Sequence, residues 1–74
     1  MIISQLIMNA VLAEANAKET KAIANLQNYM SNSAGIGEHP DVVAECGKLI
    51  KQISEAREVV EVIKQLAEQS NQNQ

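Results

Sequence analysis

Cys46 and His39 are the residues best suited by type to nucleophilic chemistry. They are a thiol and an imidazole base seven positions apart, a spacing that sets both on one face of a helix. They are also the one cysteine and the one histidine of the chain. A working pair needs a third group to orient the base and donors to hold an oxyanion, and the sequence shows neither. Cys46 falls within a row of apolar residues, where cysteine serves as a small hydrophobe. His39 stands immediately before Pro40 and reads as a helix-entry residue. Two such ligands are too few for a zinc site. Glu14, Glu19, Glu55, Glu58 and Glu61 raise the carboxylate metal pair of some four-helix proteins, but that site needs Glu-x-x-His pairs and none is present. Gly35-Ile36-Gly37 could cradle a phosphate at the start of the next helix. It lacks the glycine spacing and the lysine of a P-loop, it follows a helix, and Glu38 and Asp41 beside it would repel an anion. A turn accounts for these glycines. The residues with reactive side chains thus point to no catalytic group, no cofactor and no metal.

The elements that carry them are easier to read. From Val42 to Ala67 the apolar residues Val42, Cys46, Leu49, Ile53, Ala56, Val60, Ile63 and Ala67 recur with alternating steps of four and three. That step averages 3.5 residues and places all of them on one side of an α-helix, the pattern of a helix that must meet another helix. Val43, Ile50, Val59, Val62 and Leu66 flank this stripe. Between Met1 and Ala34 there is no Gly or Pro, and Ala, Leu, Glu, Lys and Gln favour a helix there too. The expected organisation is a single domain over 1–69: a helix over about 2–33, a turn at 34–39, a second helix over about 40–68, and a flexible polar tail at 70–74. Gly35 is placed as a left-handed C′ residue with Ile36 touching Met30, as in a Schellman motif. His39 is placed as the N-cap and Pro40 as the first helical residue, with Glu38 and Asp41 at the positive end of the helix dipole.

Two helices of equal length and a short connection make an all-α antiparallel hairpin. Placing the turn near Ile36 and Gly37 sets Leu49 opposite Ala24, Ala56 opposite Ala17, Val60 opposite Ala13 and Ile63 opposite Ala10, so that large residues meet small ones. On this register the alanine row of the first helix faces inward, and Gly47 makes room for Leu26. A second apolar face of the first helix, including Met8, Val11, Leu12, Ile23, Leu26 and Met30, is then left over. Lys51–Glu55, Arg57–Glu61 and Lys64–Glu68 have the spacing of ion pairs on the outer face of the second helix.

The size of the chain gives these faces their meaning. Its 74 residues bury only about 60% of the surface that the unfolded chain exposes, and no internal disulfide is available. With one Tyr and no Phe or Trp, the core is aliphatic. Dimerisation into a four-helix bundle is expected, through Ile2, Ile3, Leu6, Ile7, Val11, Leu12, Ile23, Leu26, Met30, Val59 and Leu66. The partner is the chain itself, as a homodimer, or another helical protein. The net charge is −3, with no basic patch and no aromatic row, which disfavours nucleic acid.

The stretch Met1–Ala13 is uncharged and mostly apolar. No Lys or Arg precedes it as in a signal peptide, Ser4, Gln5 and Asn9 interrupt it, and it is too short to span a bilayer. A cytoplasmic protein is the expectation, and a free cysteine suits a reducing compartment. The expected function is that of a non-enzymatic interaction or assembly protein: a small adaptor, accessory or regulatory subunit of the phage type. The alternative is a peripheral protein that lays its apolar N-terminal segment on a membrane surface, against which stands the absence of Lys and Arg from that segment.

Overall fold

The computed structural model of the chain describes residues 2–31 and 41–72, with side chains over 4–31 and 41–69. It contains two α-helices, α1 (Ile2–Ser31) and α2 (Val42–Gln72), which pack against each other along their length. They run antiparallel: Met8 near the start of α1 lines a groove with Leu66 near the end of α2, and Asn25 lines another with Leu49. The turn expected at 34–39, with the Gly35 cap and the His39 and Pro40 entry, lies outside the described residues.

The start of α2 differs from the expectation. The Asp41 carboxylate accepts a hydrogen bond from the Ala44 amide at 2.9 Å, and the Asp41 carbonyl accepts one from the Glu45 amide at 3.2 Å. Asp41 is therefore the N-cap, a position that aspartate fills well because its side chain satisfies an amide left open by the first turn. At the other end α2 continues to Gln72, past the Glu68 at which the fading apolar pattern suggested an end. In α1 the hydroxyls of Thr20 and Ser31 donate to the carbonyls of Asn16 and Gln27, at 2.9 and 2.7 Å, so these polar residues are bonded within the helix that carries them.

The stripe of α2 faces α1. Ala56 is buried, and Val42, Cys46, Leu49, Ile53, Val60 and Ile63 are half-buried, while Ala67 at the far end is exposed. On α1 the inward face is not the alanine row. Ala10, Ala13, Ala17 and Ala24 are exposed, whereas Ala15 and Ala22 are buried and Met8, Leu12, Glu19, Ile23, Leu26 and Tyr29 are half-buried. Met8, Leu12, Ala15, Glu19, Ala22, Leu26 and Tyr29 form their own row of alternating four and three steps. Area explains the choice. Turning the larger side chains inward removes far more apolar surface from water than four methyl groups would, at about 25 cal/mol for each Å².

Gly47 corrects a second expectation. It is exposed, and a Cβ built on it meets nothing within 4 Å, so it makes no room for Leu26. A glycine inside a helix costs about 1 kcal/mol relative to alanine. Gly47→Ala should therefore stabilise the protein by roughly that amount, read as a rise in thermal midpoint by circular dichroism. An unchanged or lower midpoint would mean that the glycine serves a purpose in an assembled form.

Candidate functional site

No side-chain constellation in the described residues resembles a reaction centre. Cys46 is half-buried on the inner stripe of α2. No group of three or more His, Cys, Asp or Glu among these residues is placed to hold a metal ion. No helix among them is long and apolar enough to cross a membrane. What the hairpin does offer is apolar surface. Among the described residues the buried core consists of Ala15, Ala22 and Ala56, and no large side chain is fully buried. Leu6, Ile7, Val11, Met30, Val43, Ile50, Val59, Val62 and Leu66 are all substantially exposed, from 40% at Val59 to 83% at Val43.

These residues fall on distinct parts of the surface. One long groove runs between the helices on one side of the hairpin, in two continuous stretches that share Val11, Glu55 and Val59. Toward the free ends its walls are Met8, Val11, Val59, Val62, Ile63 and Leu66, with Glu58 at the edge. Toward the turn the walls become polar, with Glu14, Lys18, Lys21 and Asn25 on α1 and Gln52 and Glu55 on α2. Helical spacing at about 100° per residue sets Val43 and Ile50 on the opposite flank of α2. Leu6 lies with the exposed alanines on the outer face of α1, turned away from α2.

The positions proposed from sequence as an interaction face thus divide. Leu6, Ile7, Val11, Met30, Val59 and Leu66 are exposed and available. Leu12, Ile23 and Leu26 are half-buried on the side of α1 that meets α2, so much of their surface is spent inside the hairpin. The side chains of Ile2 and Ile3 lie outside the described residues. Val62, which shares the groove with Val59 and Leu66, is absent from the sequence-based set; its place in the flanking row of α2 is the signal that would have included it.

Among the described residues one side-chain polar contact joins the helices. Arg57 Nε donates to Glu19 Oε2 at 2.5 Å. Glu19 is the charged member of the inward row of α1, and its side chain retains 22% of its exposure while that of Arg57 retains 65%. Arg57 therefore reaches across to α1 and does not pair with Glu61 one turn along. The other ion pairs among the described residues are Lys18–Glu14 at 3.3 Å and Lys48–Glu45 at 3.4 Å, both within a helix. The pairs expected at Lys51–Glu55 and Lys64–Glu68 are not formed. Pairs as exposed as the two within the helices contribute a few tenths of a kcal/mol at most. Glu19–Arg57 adds more to register than to stability, because a slip of α1 along α2 would leave a half-buried carboxylate without its partner.

No protein family, no curated protein and no solved structure matches the chain.

Proposed function

We propose that the protein is a non-enzymatic helical assembly module that acts in the cytoplasm by packing its helices against a second copy of itself, as a homodimer forming a four-helix bundle. The observation that carries this reading is the imbalance between core and surface among the described residues: three buried alanines inside, and nine large apolar side chains outside. A monomeric protein seldom leaves so many large apolar side chains in water, and a usual remedy for a chain of this size with no internal disulfide is association. A self-complementary face in a two-fold dimer is the simplest form that association takes.

Sedimentation equilibrium over a hundredfold concentration range tests the proposal. A dimer that persists toward the dilute end is expected. A folded monomer throughout would overturn it and shift attention to a different protein as the partner. Co-flotation of that monomer with liposomes would favour the membrane-surface alternative, for which the exposed Leu6 and Ile7 would be the contact.

A further inference from the structure

The groove that runs along one side of the hairpin is unlike the rest of the surface, because it is graded. Its free-end half is mostly apolar, through Met8, Val62, Ile63 and Leu66 with Glu58 at the edge, its turn-end half carries Glu14, Lys18, Lys21 and Asn25, and Val11, Glu55 and Val59 line both. The charges are divided by wall. Lys18 is paired with Glu14 on α1, which leaves Lys21 as the cation of that wall without an ion pair, and Glu55 and Glu58 on α2 also stand in no ion pair among the described residues.

We infer that a second copy of the chain covers this groove with its own groove, the two hairpins lying side by side with their turns at the same end. This inference rests on the self-association proposed above and specifies the face and the orientation. The first support is area. The chain exposes 5932 Å², whereas a compact monomer of 8.0 kDa exposes about 4,450 Å². The excess, about 1,500 Å², is spread over the whole rod and leaves ample surface for a standard interface, which takes about 800 Å² from each partner. Its cause is visible in the shape, 55 × 18 × 15 Å, a rod two helices wide that a second rod would thicken.

The second support is complementarity, and it selects the orientation. A two-fold axis parallel to the helices lays α1 of one copy on α2 of the other. The apolar half of each groove then meets the apolar half of its partner, and Lys21 comes to the level of the partner's Glu55. An axis perpendicular to the helices fails on both counts when the rods overlap fully. It reverses one rod on the other, so that Val59 and Leu66 meet the charged half and Lys21 is carried toward the partner's Val11 and away from its Glu55. Full overlap in the same direction is the arrangement that satisfies both the apolar and the charged halves.

Orientation is read by placing a spin label at Val43→Cys, in a Cys46→Ala background, and measuring the distance between the two copies. Val43 is exposed near the turn, on the flank of α2 away from the groove. Turns at the same end put the labels about 30 Å apart or closer, whereas opposed hairpins separate them by more than about 40 Å, given about 1.5 Å per residue along each helix. The longer distance in a dimer would overturn the orientation and leave self-association standing. The face is tested by Val59→Lys and Leu66→Lys against Ile50→Lys on the other flank. We expect the first two to sediment as helical monomers and the third to remain dimeric. Dimers that survive both groove variants but not Ile50→Lys would place the partner on the opposite face. A wild-type monomer would defeat the underlying proposal itself.

Discussion

Ala22→Asp should unfold the hairpin, while Ala24→Asp, two residues further along the same helix, should be tolerated. Ala22 is 1% exposed and sits in the inward row of α1, between Glu19 and Leu26. A carboxylate there has no cation assigned to it, because Arg57 is already engaged by Glu19. An unpaired buried charge costs several kcal/mol. Folded domains have about 5–15 kcal/mol in total, and a chain with so small a core stands at the low end. Ala24 is exposed on the opposite face, so its replacement loses only helix propensity, roughly 0.5–1 kcal/mol. Far-UV circular dichroism of the two variants decides between the faces: loss of helix at Ala22→Asp with retention at Ala24→Asp fits the observed packing. The reverse pattern would restore the alanine row Ala10, Ala13, Ala17 and Ala24 as the inner face.

That contrast also marks where the sequence could and could not be read. The two helices and the inward face of α2 were legible because the pattern of α2 has one solution. All seven stripe positions from Val42 to Ile63 are buried or half-buried, and turning the helix in any other way would submerge Lys51, Glu58 or Lys64. Helix α1 has two candidate faces. Both repeat at helical spacing, and matching large residues to small ones favoured the alanines. Two features decided otherwise. Leu12, Ile23 and Leu26 carry more apolar area than the alanine row. Glu19, the one charged residue in that row, is answered by Arg57 from α2. A charge inside an apolar row is a warning in one helix and a registration device once its partner is known, and no single-helix pattern contains that information.

The cap of α2 and the role of Gly47 were misread for a related reason. Pro40 and His39 formed a plausible entry by residue type, yet Asp41 is equally good by type, and which oxygen meets an open amide depends on where the first turn begins. Gly47 was given a packing purpose on an assumed register. In the structure the space beyond it is solvent. That the hairpin would expose a surplus of apolar residues was legible. The location of that surplus was not, because the face of α1 that the hairpin consumes determines which one it leaves, and that exchange moved Leu12, Ile23 and Leu26 toward the inside.

If the surplus is covered by a second copy, association adds to the stability of the hairpin, and stability must depend on concentration. A hairpin held by Ala15, Ala22 and Ala56 has little to stabilise it alone, whereas pairing the apolar halves of two grooves adds a second core between them. For a dimer that unfolds to two separate chains, a hundredfold dilution removes about 2.7 kcal/mol of apparent stability. A dimer of this size loses about 2–4 °C for each kcal/mol, so the thermal midpoint should fall by about 5–10 °C across that range. Calorimetry or circular dichroism at the two extremes measures it directly. A midpoint independent of concentration would show that the hairpin stands without a partner. The exposed residues Val11, Val59, Val62 and Leu66 would then have to be explained by an encounter that contributes nothing to folding. With Leu66→Lys the dependence itself should vanish, since a monomer has no association equilibrium to dilute. The sensitivity to concentration and the sensitivity to that one side chain therefore stand or fall together.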